Sequence, residues 1–269
     1  MSLPARILTV AGSDSSGGAG IQADLKTIQA LGGYGMSALT AITAQNTLGV
    51  FGVHAVPAVM VAAQLEAVLD DPGVDVIKTG MLLNTRIIEA IAEVLDEHPP
   101  IPMVLDPVMV ATSGARLIDL EAQQTIMTHL LARATVITPN LPEAEALTGL
   151  RITDRQSLEA AGHILHDLGA AAVLIKGGHR EGDEVVDWLF DGEAWTAFRT
   201  PRIATTGGHG TGCTLASAIA TRLGQGLELK AAIESAKAYL NGALAHAWPG
   251  LGKGTGPLNH GWEWDCPAE

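Results

Sequence analysis

The sequence predicts a three-layer α/β/α fold with a mostly parallel central sheet and a small antiparallel hairpin at one edge. Short apolar, β-branched runs alternate with segments of helical periodicity along the 269 residues. Such alternation is typical of βαβ units. The strand-like runs are apolar at successive positions, as expected of strands covered on both faces. No repeat or linker interrupts the pattern, so we expect one domain over residues 1–269.

The first half of the chain predicts three strand–helix units. In the first helix, Ile21, Leu25 and Ile28 recur at three- and four-residue steps, which places them on one face. Pro57 suits the first turn of the second helix. The predicted strands are Arg6–Ala11, Met36–Ala44 and Val74–Gly80, and the predicted helices are Ile21–Leu31, Pro57–Leu69 and Asn84–Glu97.

The second half continues the pattern and adds the hairpin. Asp154 is a favourable N-cap for the helix that follows it. Two strand-like runs flank the turn residues DGE and predict an antiparallel hairpin over Glu184–Arg199. The glycine-rich tail, 250–269, is expected to be irregular. The remaining strands are Pro102–Met109, Thr135–Asn140 and Ala171–Gly178, and the remaining helices are Leu120–Ala132, Asp154–Leu168, Thr214–Leu223 and Leu229–His246.

Composition excludes several classes of partner. The net charge of -13 and the pI near 5.0 come without a basic stripe, which argues against nucleic acid. No apolar run reaches the ~18 residues of a membrane span. Cys213 and Cys266 are far apart and form neither a disulfide framework nor a zinc spacing. With no signal-peptide pattern at the N-terminus, we expect a cytoplasmic protein.

The first of two glycine loops, Gly12–Gly20 (GSDSSGGAG), follows the first predicted strand. It lacks the Lys-Ser/Thr that ends a phosphate-binding P-loop. It is either a flexible turn or the wall of a substrate pocket, where glycines let backbone N–H groups approach a ligand.

The second glycine loop, Thr206–Cys213 (TGGHGTGC), directly precedes a helix. Unpaired N–H groups and the helix dipole predict an anion site there. Cys213 lies in the first turn of that helix. A helix N-terminus lowers the pKa of a thiol, but most free cysteines are small buried hydrophobes, so the sequence leaves both interpretations open.

Polar residues cluster just after the predicted strands. In a parallel sheet, ligands bind beyond the carboxyl ends of the strands. Asn140 and Glu143 suit Mg²⁺, although their spacing is also that of a capping box, which we slightly favour. The residues expected to share this rim are Asp14, Gln45, Asn46, Lys78, Asp106, Asn140, Glu143 and Lys176.

Two glycine loops with T-x-x-N-x-x-E between them resemble the ribokinase-like superfamily. Longer segments, from about Ile7 to His260, resemble the hydroxymethylpyrimidine/phosphomethylpyrimidine kinase family of thiamine biosynthesis. These segments are VAGSDSSGGAGIQADLKT, TAITAQNT, KTGML, LDPVM, TPNLPEAEALTG, VLIKGGH, HGTGCTLASAIA and GPLNH.

The resemblance implies a reaction and a site. ATP, with Mg²⁺, phosphorylates 4-amino-5-hydroxymethyl-2-methylpyrimidine and then its monophosphate, and the enzyme is a homodimer. The residues that match substrate-binding positions are Gly12, Asp24, Gln45, Met81 and Val108. Those on the nucleotide and metal side are Asn140, Glu143, Asp106, Lys176 and His209. The anion hole matches Gly210, Thr211, Gly212 and Cys213, and Lys176 is placed with these catalytic residues.

Cys213 is typical of the hydroxymethylpyrimidine branch, whereas Gly207 and Gly208 depart from the usual pattern of that branch. Related sugar kinases carry an aspartate where this chain has Cys213, so Cys213 is the expected proton acceptor. Gly207 and Gly208 replace the Asn-Thr that commonly precedes the histidine, so a contact to the nucleotide is missing or is made by backbone. The alternative functions are a pyridoxal or pyridoxine kinase of the same branch and a catalytically silent pyrimidine-binding protein.

Overall fold

The computed structural model describes residues 3–109, 118–178, 182–248 and 250–264. Its main sheet has eight strands in the order β10-β9-β8-β7-β6-β5-β1-β2. The six strands from β8 to β2 run parallel, and β9 and β10 are antiparallel at one edge. Their bounds are β1 Arg6–Ala11, β2 Tyr34–Leu39, β5 Val76–Thr79, β6 Met103–Leu105, β7 Val136–Ile137, β8 Val173–Ile175, β9 Glu184–Phe190 and β10 Trp195–Pro201.

Helices cover both faces of this sheet. They are α1 Gly20–Ala30, α2 Ala58–Asp70, α3 Thr85–Asp96, α4 Leu120–His129, α5 Leu141–Thr148, α6 Arg155–Asp167, α7 Thr211–Gly224 and α8 Leu229–Ala245, with a short 3₁₀ helix over Leu131–Arg133. Neighbouring residues of each strand belong to different cores because side chains alternate across a sheet. Ile77 packs with α2, α3, α4 and α6, whereas Val76 packs with α1, α7 and α8. The predicted three layers are therefore confirmed.

Helix starts follow the capping residues in the sequence. The side chains of Asn84, Asp119 and Asp154 each accept a hydrogen bond from a backbone N–H in the first turn of α3, α4 and α6. These bonds satisfy amides that have no partner inside the helix. No helix in the described residues combines the length and the apolar character that a membrane crossing requires.

One predicted strand was wrong in extent. Met36–Ala44 is divided between β2 and a separate strand, β3 (Ala41–Asn46), which pairs with β4 (Gly49–Ala55) in a second, two-stranded sheet. The backbone turns at Thr40, whose N–H donates to Ala11 and whose hydroxyl donates to the carbonyl of Met81. Continuous β-propensity across this turn hides it in the sequence. The predicted hairpin over Glu184–Arg199 is confirmed as β9 and β10.

The two-stranded sheet leaves apolar side chains exposed on both of its faces. Phe51 is 69% exposed, and Ile42, Leu48 and Val53 are also largely exposed. The first residues of α2 add exposed Val59 and Met60. Patches of this kind mark interaction surfaces more often than single exposed residues do.

The described part of the tail, 250–264, consists of turns and bends, as expected, but it is held against the fold. Leu258, Asn259 and His260 are buried. The hydroxyl of Tyr239 donates to the carbonyl of His260 at 2.6 Å. Pro257 forms a bridge with His209, and the tail therefore braces the second glycine loop.

Candidate active site

A cavity of about 980 Å³ opens beyond the carboxyl ends of the parallel strands. Its wall is formed by both glycine loops, by residues that follow β6, β7 and β8, and by one side of α8. This is the rim at which parallel α/β sheets bind ligands, and the volume is sufficient for two small ligands.

The two glycine loops pack against each other. Gly210, with φ at +88°, is the N-cap of α7, and a Cβ atom there would overlap the carbonyl oxygen of Gly18. A Cβ atom on Gly18 would lie 2.6 Å from Cδ2 of His209. These glycines therefore allow the two loops to pack closely against each other, in addition to any approach of a ligand.

Asp14 and His209 hold this contact together. Nε2 of His209 lies 2.8 Å from Oδ2 of Asp14, and both side chains are buried. The same carboxylate accepts the N–H groups of Ser16, Gly18 and Ala19. Burial alone would raise the pKa of Asp14, but the hydrogen bonds from His209, Ser16 and Ala19 outweigh it and hold the pKa well below the usual range.

Gln45 lies beside this pair, on the bulged end of β3. Its side-chain amide nitrogen is 3.3 Å from Nε2 of His209, and its oxygen is 3.4 Å from Oγ1 of Thr43. His209 therefore belongs to the Gln45 side of the cavity. The sequence-based placement of His209 with the nucleotide residues stays a prediction.

On the side of the cavity opposite Gln45, the ammonium of a lysine lies beside the start of α7. Lys176 follows β8, and its Nζ lies 2.9 Å from Oδ1 of Asp106. A methyl group on Gly212 would lie 3.4 Å from that nitrogen, so Lys176 stands over the first turn of α7. Burial acts to lower the pKa of Lys176, but the charges of Asp106 and Glu143 raise it above its usual value. The amine is thus held as an ammonium where the positive end of the helix dipole points.

Asn140 and Glu143 form the capping box of α5. Oδ1 of Asn140 accepts the N–H of Glu143, and Oε2 of Glu143 accepts the N–H of Asn140, both at 2.8 Å. This agrees with the favoured interpretation and commits the oxygen of Asn140 to the helix. Burial is the main cause that raises the pKa of Glu143, and the nearby charge of Lys176 opposes it.

The donor set fits Mg²⁺ that is held mainly by phosphate oxygens. Among the described residues, no three His, Cys, Asp or Glu side chains gather into a preformed metal site. Asp106 and Glu143 both line the cavity and supply carboxylate oxygens. Mg²⁺ commonly binds through one or two carboxylates, substrate phosphates and waters, so no protein cage is required.

Cys213 lines the cavity as a free thiol in the first turn of α7. Burial raises its pKa to about 11, the charges of Asp24 and Asp106 act in the same direction, and Lys78 opposes them. Of the two interpretations that the sequence left open, the structure supports the buried thiol, because loss of solvation raises its pKa. The group is a neutral thiol at neutral pH. Cys266 lies outside the described residues.

Asp24 and Lys78 lie behind the cavity wall and do not face the cavity. Both side chains are 0% exposed, and Nζ of Lys78 contacts the two carboxylate oxygens of Asp24 at 2.8 and 2.9 Å. Ser217 and Thr9 also donate to Asp24. The placement of Asp24 in the substrate-binding wall and of Lys78 at the rim is therefore corrected: they join β1, β5, α1 and α7 from beneath.

The other expected residues are mostly brought together. Gly12, Met81, Val108, Thr211 and Gly212 line the cavity, and a Cβ atom on Gly12 would overlap Cε of Met81. Asn46 is exposed and does not line it. Gly207 packs against Ala247 and Pro257, whereas Gly208 lines the cavity with nothing within 4 Å of a Cβ atom built on it.

Sequence reasoning missed a buried ion pair in the cavity wall. Lys237 of α8 contacts Oδ2 of Asp187, and Oδ1 of Asp187 accepts the N–H of Gly177 at 2.7 Å. This bond fixes the backbone next to Lys176. A lysine among the alanines and leucines of the buried face of α8 was the available signal.

Comparisons of the sequence with known proteins agree on one family. A family model described as phosphomethylpyrimidine kinase matches residues 14–259. A hydroxymethylpyrimidine/phosphomethylpyrimidine kinase of Streptomyces coelicolor is 49% identical over 259 residues, covering 96% of this chain and 95% of that protein. The thiamine biosynthesis bifunctional protein ThiED of Geobacter sulfurreducens is 56% identical over 254 residues, covering 94% of this chain and 52% of that longer protein.

A solved structure matches the whole architecture. Pyridoxal kinase from Staphylococcus aureus, in complex with AMP-PCP and pyridoxal, superimposes with a TM-score of 0.88 at 38% sequence identity. The match covers 98% of this chain and 96% of that one.

We predict that Lys78→Met destabilises the protein by about 3–5 kcal/mol, because it leaves the carboxylate of Asp24 buried without its cation. Urea unfolding measures the change. The double variant Asp24→Asn/Lys78→Met should recover most of the loss. In the exposed pair of Lys230 with Asp191, Lys230→Met should cost less than about 1 kcal/mol. Equal losses for the two single variants would contradict the assignment of Lys78.

Proposed function

Because the chain belongs to the phosphomethylpyrimidine kinase family, we propose that its cavity binds a hydroxymethylpyrimidine beside Gln45 and ATP over the first turn of α7. The protein is a phosphotransferase of thiamine biosynthesis. It transfers the γ-phosphoryl group of ATP to the 5-hydroxymethyl group of 4-amino-5-hydroxymethyl-2-methylpyrimidine, and then a second phosphoryl group to the monophosphate.

The proposed position of phosphoryl transfer rests on one observation. The ammonium of Lys176 and the first turn of α7 converge at Gly212. Phosphoryl transfer depends mainly on positioning and on stabilising charge at the transferred group. A local positive site of this kind can hold a polyphosphate even though the whole protein carries a net charge of -13.

The proposed pyrimidine side of the cavity combines apolar walls with one side-chain amide. Gly12 leaves room for Met81, and together with Val108 they offer apolar walls to a planar ring. The side-chain amide of Gln45 supplies a donor and an acceptor, which match the edge of an aminopyrimidine. In the proposed binding mode, the hydroxymethyl arm lies between Gln45 and Cys213.

Asp106 and Glu143 are the proposed ligands of Mg²⁺, with Asn140 stabilising the start of α5 beside them. The ion would neutralise the nucleotide phosphates when bound. Lys176 contacts Oδ1 of Asp106 at 2.9 Å, and Oδ2 of Asp106 lies 3.8 Å from a Cβ atom built on Gly212.

Cys213 is the proposed proton acceptor for the attacking hydroxyl, acting as a thiolate. Since its pKa is raised to about 11, only a small fraction is thiolate at neutral pH. A loose transition state needs little assistance from a base, so a rare thiolate is compatible with turnover.

We expect kcat to rise with pH and to level off only near the raised thiol pKa, because the thiolate fraction increases about tenfold per pH unit below that pKa. Cys213→Ala should lower kcat, keep pyrimidine binding and remove the rising limb. Steady-state rates from pH 7 to 10.5 measure this, with Cys266→Ala as the matched control. Superimposable profiles of Cys213→Ala and wild type would exclude the role.

An ADP-release assay with three acceptors tests the function itself. We expect kcat/KM to be higher for the hydroxymethylpyrimidine than for pyridoxal, and we expect turnover of the pyrimidine monophosphate. The similarity to a pyridoxal kinase that binds pyridoxal makes pyridoxal phosphorylation the second candidate. Faster turnover of pyridoxal than of the pyrimidine would reverse the ranking.

A homodimer through the two-stranded sheet is the proposed assembly. The exposed apolar side chains of β3 and β4, Phe51 among them, would be covered by the same surface of a second copy. This sheet also carries Gln45, so the assembly would brace the pyrimidine side of the cavity.

We predict that Phe51→Asp converts the dimer to a monomer, because a charge would be placed in the apolar contact. Sedimentation equilibrium at micromolar concentration measures the mass. Leu120→Asp, at the equally exposed Leu120 of α4, should leave the mass unchanged. A wild-type protein that sediments as a monomer would contradict the assembly.

Residues 1–269 are proposed to act as one domain in the cytoplasm. The sheet and the cavity use strands and loops from Arg6 to Pro201 and helices up to Ala245. The free thiol of Cys213 suits a reducing compartment.

A further inference from the structure

The side-chain amide of Gln45 lies between two groups that are already committed to other hydrogen bonds. Its nitrogen is 3.3 Å from Nε2 of His209, and its oxygen is 3.4 Å from Oγ1 of Thr43. A half-turn of the amide exchanges its nitrogen and oxygen at nearly the same positions. The commitments of the two neighbours decide which arrangement is favourable.

His209 offers a hydrogen and not a lone pair. Its Nε2 lies 2.8 Å from a carboxylate oxygen of Asp14, which can only accept. That nitrogen must therefore carry a hydrogen, whether the ring is neutral or cationic. An amide nitrogen beside it has no acceptor, whereas an amide oxygen can share the same N–H.

Thr43 offers a lone pair and not a hydrogen. Its hydroxyl donates its single hydrogen to the carbonyl oxygen of Ser13 at 2.9 Å. The hydroxyl oxygen can then only accept from Gln45. An amide oxygen beside this hydroxyl would bring two lone pairs together. An amide nitrogen there would instead donate a hydrogen bond to the hydroxyl oxygen.

We propose that His209 and Thr43 are the positioning residues that fix the Gln45 amide with its oxygen toward His209 and its nitrogen toward Thr43, and that they thereby determine which ring edge the cavity accepts. The inference rests on the proposed contact between Gln45 and the pyrimidine. Asp14 contributes by fixing the hydrogen on Nε2 of His209.

A fixed amide reads donors and acceptors in one order only. The aminopyrimidine edge presents an amino donor beside a ring-nitrogen acceptor. The analogue with oxygen in place of the 4-amino group presents an acceptor beside a ring N–H donor, which is the reverse order. A free amide could rotate to match either edge, but one held at both ends discriminates between them.

Thr43→Val tests the proposal, because it keeps the shape of the side chain and removes the acceptor. We expect kcat/KM for the aminopyrimidine to fall about tenfold, through KM, and discrimination against the 4-oxo analogue to weaken by a similar factor. Thr43→Ser retains the hydroxyl and should preserve both values. A Thr43→Val enzyme with wild-type discrimination would overturn the proposal.

A double-mutant cycle with Gln45→Ala separates this inference from the function beneath it. Gln45→Ala should raise the pyrimidine KM far more than the ATP KM, and adding Thr43→Val should then change little, since Thr43 acts through Gln45. If Gln45→Ala leaves the pyrimidine KM unchanged, the proposed substrate contact fails and the inference with it. If that KM rises but the two effects are additive, only the inference fails.

His209→Leu provides a second route to the same result. It removes the N–H toward the amide and should also weaken discrimination between the two analogues. Near-UV circular dichroism checks that the loops remain packed, and unchanged discrimination in a folded His209→Leu enzyme would count against the proposal.

Discussion

The contact between the two glycine loops is the constraint on which the site depends. Gly210 can approach the carbonyl of Gly18 only because neither residue has a side chain. The ionised carboxylate of Asp14 then fixes one loop through backbone amides and the other through His209. Without this contact, the start of α7 and Gln45 would not line the same cavity.

Buried ion pairs hold the remaining walls. Lys78 with Asp24 ties β5 to α1 beneath Cys213, Lys176 with Asp106 joins the ends of β8 and β6, and Lys237 with Asp187 joins α8 to β9. Paired charges of this kind are costly to disrupt, because removing one partner leaves the other desolvated. Through Lys176, an acidic protein with a net charge of -13 also presents an ammonium at its cavity.

Local sequence signals located the elements well and the roles of individual side chains less well. Caps such as Asp154, and the alternation of apolar runs, gave the helices and the parallel sheet. The turn at Thr40 was missed because β-propensity continues across it. Asp24 was placed in the cavity although it is wholly buried, and the sequence left open whether the pKa of Cys213 falls at the helix start or rises through burial. Burial is a property of the assembled layers, so neighbouring residues in the sequence could not decide either point.

The sequence by itself determined the three-layer class, most of the strands and helices in their order, and the set of residues near the strand ends, because period, caps and glycine positions are local properties. Only the tertiary structure decided which of those residues face the cavity. Residues 195 positions apart, Asp14 and His209, become hydrogen-bond partners through the approach of two loops. Hydrogen-bond direction, desolvation and the pKa of a thiol all depend on such distant neighbours, and for that reason the chemistry of the site was settled by packing.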